Sequence, residues 1–306
     1  MDITFKPKEL KPTRNRSNLE TIFIDKEFEK RVLTHVIANS LQRSIAPCFL
    51  AIEGNMGEGK TAQTINTCFK HGIHVYYFSG SQLAGNLERD SVKELEDTYN
   101  YLEENSKEDV YNIIIIDDFH LSVASCAENV SRTVNSQLLT GYLMNLADAA
   151  KTLSGKKTPI ILIANSFEQL YLPLTRDGRM DLFKWEPDDN QKKQIIFQMY
   201  REILRDGISP VFENFVTEYI EESIAFFGEV KNDIYIQAIK EYLEEGNFGT
   251  LYDVVGRFDR KFQEYDRNFI GVDKIKEYAE IRKSKYRVKK REEQSSDDRC
   301  ETGCED

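Results

Sequence analysis

The sequence predicts an α/β domain with a mostly parallel sheet flanked by helices, followed by a small all-helical subdomain. Three observations predict it. Between Thr21 and about Trp185, short continuous apolar runs alternate with helical patterns, the signature of buried parallel strands. The first of these runs leads into a glycine-rich loop and then a helix. After Trp185 only helical periodicity remains, and such segregation marks a separate helical subdomain.

The elements follow in order. Residues 1–20 are polar and hold Lys6, Lys8, Lys11, Arg14 and Arg16 with Pro7 and Pro12, so they read as a basic, poorly ordered arm. The core, 21–185, opens with a helix over Lys26–Gln42. Its strands are Cys48–Glu53, His74–Ser79, Asn112–Asp117 and Pro159–Ala164, and its other helices are Thr61–Lys70, Val92–Asn105 and Val134–Lys151. The helical subdomain, 186–268, carries Gln191–Asp206, Val211–Ala225, Asp233–Glu244 and Thr250–Tyr265. Residues 269–306 read as a charged helix end and disordered tail, because charge takes over from about Lys274.

Composition narrows the function. The 306 residues suit about two domains. Asp plus Glu is 52 against 41 Lys plus Arg, a net charge of −11, which argues against a protein that coats duplex nucleic acid. No apolar run reaches the roughly 20 residues of a membrane helix. The N-terminus has no apolar signal region, so a cytoplasmic or stroma-like compartment is expected, not secretion. Cys48, Cys68 and Cys126 lie in or beside apolar segments and read as reduced thiols. With 4 His and no CxxC or HExxH pattern, structural zinc is not expected.

The sharpest motif is Gly54-Asn55-Met56-Gly57-Glu58-Gly59-Lys60-Thr61, which fits GxxxxGK[ST]. Glycines let the backbone curl its N–H groups around phosphate oxygens. Lys60 would place a charge on the β- and γ-phosphates and the Thr61 hydroxyl would ligate Mg²⁺. The following helix offers its N-terminus to the anion. The expected ligands are therefore ATP and Mg²⁺. A second element is the apolar strand Asn112–Asp117, ending in paired carboxylates. Asp117 is expected to hold Mg²⁺ and Asp118 to polarise the attacking water. The next strand ends in Asn165, placed to orient that water. Downstream, Arg176 and Arg179 flank a turn with no obvious partner in the chain, which suits a guanidinium fork aimed at phosphate. The bland alternative is a surface salt bridge to Asp177 or Asp181.

This set of features resembles the AAA+ ATPases, and within them the chain is similar to Rubisco activase. The similarity rests on Thr133–Asp148, on Pro159–Trp185 with its Arg176-Asp177-Gly178-Arg179-Met180 core, on the entering helix from Phe23, and on Phe226-Phe227-Gly228. It covers about Thr21 to Glu245. It implies a P-loop AAA+ core with a helical lid, and ATP binding at Lys60 with Asn165 as sensor. It also implies that Arg176 and Arg179 act as arginine fingers across a subunit interface, in a homo-oligomeric ring that is a hexamer in the family. The segment Ser79–Asn86 would line the ring's pore.

The chain also departs from the family pattern. Where activases carry two Arg after the FFG motif, this chain has Lys231 and Asp233, leaving Lys231 as a point charge for phosphate. The family's acidic strand places Asn at Asp117 and Asp at Asp118, so the two carboxylates are open to exchanged roles. Plant activases carry an N-terminal domain before the core, where this sequence has only its arm. The resemblance implies a protein client, either Rubisco or, as the missing N-terminal domain favours, a complex of another pathway. The alternative is a nucleic-acid-associated AAA+ ATPase using the arm and the Arg282–Arg291 block.

Overall fold

The structure is a computed structural model that describes residues 5–12, 23–41, 46–84, 90–122, 134–152, 157–168, 174–176, 178–201, 203–204, 207–265 and 271–284. It divides into two compact units, 1–188 and 189–306.

The first unit is built on five strands: β1 (Phe49–Glu53), β2 (His74–Ser79), β3 (Asn112–Asp117), β4 (Ile160–Ala164) and β5 (Met180–Lys184). They lie in the order β2-β3-β4-β1-β5, and every pairing among them is parallel. Its helices are α1 (Lys26–Ser40), α2 (Lys60–Lys70), the single turn α3 (Gly80–Leu83), α4 (Asp90–Glu104) and α5 (Val134–Thr152). The central strands are buried on both faces: Phe49 to Ile52, Ile113 to Ile116 and Ile160 to Ala164 are all inside. That double burial is why these segments read as continuous apolar runs. One face of the sheet packs on Leu95, Tyr99, Leu139 and Leu143 of α4 and α5. The sequence reading places four strands here; β5 is the one it missed. Met180–Lys184 alternates weakly, carries Asp181 and Lys184, and is only partly buried. Its register with β1, from Phe49 opposite Met180 to Glu53 opposite Lys184, makes it a strand rather than its own propensity.

Local signals set the helix starts. The Asp25 carboxylate accepts from the Glu27 and Phe28 amides, both at 3.0 Å, and caps α1. Gln63 on α2 accepts from the Asp25 amide at 2.9 Å and donates to the Phe23 carbonyl at 3.0 Å, tying the entry of α1 to α2. The arm is not free along its length: the Leu10 amide donates to the Val75 carbonyl at 2.8 Å, an antiparallel bridge on the edge strand β2. Beside it His74 meets Glu9 at 2.7 Å. Cys48 and Cys68 are buried free thiols, and burial pushes both up to about 12. Cys126 lies outside the described residues.

The second unit contains α6 (Asp189–Tyr200), α7 (Pro210–Glu218), α8 (Ile224–Glu244), α9 (Leu251–Tyr265) and α10 (272–284). Three of the expected helices differ in extent, the first of them, Gln191–Asp206, ending at Tyr200. The predicted Val211–Ala225 stops at Glu218, and α8 begins nine residues before Asp233, because Ser223 caps it by accepting from the Phe226 amide. Phe226, Phe227 and Lys231 therefore sit in one helix. The charged stretch from Lys274 forms α10, whose Val272, Ile275 and Ala279 join Tyr200, Phe212, Phe215 and Phe227 in the core. Its polar face pairs with the same unit: Arg282 meets Asp233 at 2.8 Å and Glu229 at 3.2 Å, and Lys283 meets Glu222 at 3.3 Å. The remainder of the basic block and the tail after it lie outside the described residues.

Candidate functional site

The site gathers at the carboxyl ends of β1, β3 and β4, where open parallel sheets bind ligands. Strand β1 releases the chain into the loop from Gly54 to Gly59. Gly57 and Gly59 adopt φ of 82° and 79°, the left-handed conformation that glycine takes without a Cβ penalty. Gly54 is fixed by a close approach: a Cβ there would lie 2.2 Å from the Trp185 carbonyl oxygen. The Trp185 indole N–H donates to the Glu58 carbonyl at 2.8 Å, and its backbone N–H donates to the Glu53 carbonyl at 2.7 Å. The loop is thus clamped from the β5 side. Met56 stands exposed at its tip and Glu58 is buried.

Lys60 opens α2 and curls back into the loop. Its ammonium donates to the carbonyls of Gly54 at 2.6 Å and Asn55 at 2.9 Å, and to Asn165 Oδ1 at 3.4 Å. Burial pulls its pKa down, opposed by the carboxylates of Asp117, Asp118 and Glu58. Next to it, the Thr61 hydroxyl donates to Asp117 Oδ1 at 3.0 Å. Lys60, Thr61, Asp117 and Asn165 are therefore one connected constellation drawn from α2, β3 and the end of β4.

Asp117 is buried and accepts two further bonds, from the Asp118 amide to Oδ1 at 3.0 Å and from the Tyr77 hydroxyl to Oδ2 at 2.9 Å. Asp118 is exposed and adopts φ 51°, ψ 42°, the one left-handed non-glycine among the described residues. Asp tolerates that conformation better than most residues. Gly80 accommodates it, since a Cβ at 80 would lie 2.1 Å from the Asp118 carbonyl oxygen. The adjacent carboxylates thus differ sharply, one held against Thr61 and one presented to solvent.

The paired arginines also differ. Arg176 is exposed. Arg179 has the intrachain partner the sequence did not reveal: Nε and one terminal nitrogen grip the two oxygens of Asp148 at 2.9 and 2.6 Å. Of the two expected alternative partners, Asp181 pairs with Arg31 and Asp177 lies outside the described residues. Lys231, in the second unit, donates to the Met199 carbonyl at 2.9 Å and lies 5.8 Å above the Tyr235 ring. Of the segment Ser79–Asn86, the part through Ala84 is described and begins with α3, where the Ser79 amide donates to Gln82 Oε1 at 3.0 Å.

Sequence reasoning missed Tyr77 and Asp148. Both are found by strand order and helix packing rather than by motif. Tyr77 stands beside Asp117 only because β2 pairs with β3. Burial and the Asp117 and Asp118 carboxylates push the Tyr77 phenol up, which keeps it a hydrogen-bond donor.

Comparison with known proteins fits this geometry. Residues 50–187 match the AAA family, the ATPase family associated with various cellular activities. Ribulose bisphosphate carboxylase/oxygenase activase of Anabaena sp. is 31% identical over 242 residues, 75% of this chain and 58% of the relative. The chloroplastic activase 2 of Larrea tridentata is 24% identical over 278 residues, 87% and 63% of the two chains. The chloroplastic activase of Chlamydomonas reinhardtii is 26% identical over 254 residues, 79% and 60%. Residues 50–187 carry an AAA ATPase domain, in a chain similar to Rubisco activase. The chain spans less than two thirds of the length of each of these relatives.

As an AAA+ site, the constellation fits a nucleotide with Mg²⁺. The Lys60 ammonium sits on carbonyls at the loop mouth, where phosphate oxygens would replace them. The Thr61 hydroxyl and Asp117 carboxylate lie together as hard oxygen donors, the type Mg²⁺ takes. No helix among the described residues is long and apolar enough to cross a membrane.

Proposed function

We propose that the chain binds ATP with Mg²⁺ and hydrolyses it to ADP and phosphate, as a subunit of a ring that remodels a protein client. The observation that carries this is the 3.0 Å bond between Thr61 and Asp117 beside the Lys60 ammonium. The backbone N–H groups from Gly54 to Gly59 wrap the phosphates, and Lys60 exchanges its carbonyl partners for β- and γ-phosphate oxygens. Thr61 and Asp117 would hold Mg²⁺, which supplies charge neutralisation along the phosphates when bound. Asp118, exposed at the strand end, accepts a hydrogen bond from the attacking water and polarises it. Asn165 orients that water from β4. Arg176 and Arg179 act on the γ-phosphate of a neighbouring subunit.

The client is a protein, and Rubisco is the first to test, because the relatives are Rubisco activases. The cytoplasm or a chloroplast-stroma-like compartment suits such a client. The basic block offers less free charge to nucleic acid than its sequence suggests, since Arg282 and Lys283 are engaged by Asp233, Glu229 and Glu222.

The test separates binding from turnover. Lys60→Ala is expected to abolish ATP binding. Asp118→Asn is expected to bind ATP and lose hydrolysis. Normal hydrolysis by Asp118→Asn together with loss in Asp117→Asn would mean that the two carboxylates exchange roles. Reactivation of inhibited Rubisco in a coupled assay decides the client.

A further inference from the structure

Tyr77 belongs to no motif of the site, yet it touches the carboxylate at its centre. In the β2–β3 pairing Tyr77 lies opposite Ile115, so its ring reaches two residues further along β3 to Asp117 Oδ2, at 2.9 Å. The other oxygen, Oδ1, accepts from Thr61 and from the Asp118 amide, both at 3.0 Å. Three donors from β2, α2 and the chain just past β3 thus act on one side chain. The distinction matters because the terminal torsion of Asp is broad and roughly two-fold. Held through Oδ1 alone, the carboxylate could pivot about that oxygen. The bond to Oδ2 closes this freedom from the opposite side. The strand does not need the hydroxyl for packing, since β2 enters the core through Val75 and Phe78 while Tyr77 is only partly buried.

We propose that Tyr77 is a positioning residue, whose hydroxyl fixes the Asp117 carboxylate in the orientation that holds Mg²⁺ beside Thr61. This rests on the reading of Asp117 as the metal-side carboxylate. Outer partners of metal-binding carboxylates act in this way, and their loss costs about 10–100-fold in metal affinity or activity. Tyr77→Phe keeps the ring and removes only the hydroxyl.

The experiment uses the full chain and a fluorescent ATP analogue, with the metal added last. In EDTA, Tyr77→Phe is expected to bind nucleotide as the wild type does. The Mg²⁺ concentration that gives half the metal-dependent signal should rise about 10-fold or more. Mn²⁺ bound to the nucleotide-loaded chain, read by electron paramagnetic resonance, should weaken in parallel. In an Asp117→Asn background the Tyr77→Phe change should add nothing, because the group it positions has changed. A Mg²⁺ titration indistinguishable from the wild type overturns the proposal. So does an equal loss with and without metal, which would mark a purely structural role, and so does a fully additive double variant. A wild type whose nucleotide binding ignores Mg²⁺ altogether overturns the metal-side reading of Asp117 and this proposal with it.

Discussion

Arg179 shows how one side chain is held in a fixed plane by a partner of its own chain. Its guanidinium meets Asp148 on α5 through two bonds, at 2.9 and 2.6 Å, and its side chain is 11% exposed. A fork held on one edge has a fixed plane, which suits recognition of phosphate by geometry as well as charge. Asp148→Ala is therefore expected to leave ATP affinity near its normal value and to lower turnover by about 10²-fold, the scale of a misplaced catalytic group. Arg179→Lys should resemble Arg179→Ala, because an ammonium cannot make the paired contact. Steady-state ATPase rates with separately measured ATP binding check both. The sequence displayed Arg179 through its turn but hid Asp148. A partner 31 residues away on another element leaves no local spacing to read. Lys60, Thr61 and Asp117 were legible for the opposite reason: each sits at an element end whose local chemistry is written in consecutive residues.

At the scale of elements, burial decides which segments hold together and at what pH. His35 on α1 is buried, and that burial pushes it down to about 4 from an ordinary 6.5, with Arg31 on the same helix acting in the same direction. Between those values the unfolded chain takes up a proton that the folded chain refuses. Stability from this group is thus present above pH 6.5 and falls as the pH drops toward 4. The full shift corresponds to about 3 kcal/mol, with about 2 kcal/mol gone by pH 5. Urea unfolding of the wild type and of His35→Leu at pH 7 and pH 5 checks this: the wild type should lose more between the two pH values. An equal loss in both would mean that His35 does not titrate on unfolding. The same logic of burial explains which elements could be read in advance. Strands β1, β3 and β4 were legible because both their faces are covered, giving unbroken apolar runs. Strand β5 was not, because it pairs at the edge with mixed residues. Helix α10 hid behind its charges, since its described residues bury only Val272, Ile275 and Ala279 fully, with Tyr278 half-buried beside them.

At the scale of the whole molecule, the nucleotide site is incomplete without a second copy if Arg176 and Arg179 serve a neighbour. ATPase activity per subunit should then rise with protein concentration as rings assemble. Arg179→Ala and Lys60→Ala should each be inactive, the first still binding ATP. Their mixture should recover activity, because some interfaces pair an intact P-loop with an intact finger, and a finger elsewhere is worth about 10³–10⁵ in rate. Turnover independent of concentration from a monomer in ultracentrifugation would place the whole site within one chain.

Trp185 gives the site a further property. It is the single tryptophan of the chain, it is buried, and its indole N–H rests on the Glu58 carbonyl inside the phosphate-binding loop, 2.8 Å away. Phe28 meets its ring edge-on at 5.0 Å. Indole emission responds to the dipoles around the ring, and here one of those dipoles belongs to the loop proposed to close on phosphate. Titrating ATP into the wild type should therefore shift or quench the intrinsic emission, and Lys60→Ala should show no change over the same range. The fluorescence of the chain, with no label attached, then follows occupancy of the nucleotide site in real time.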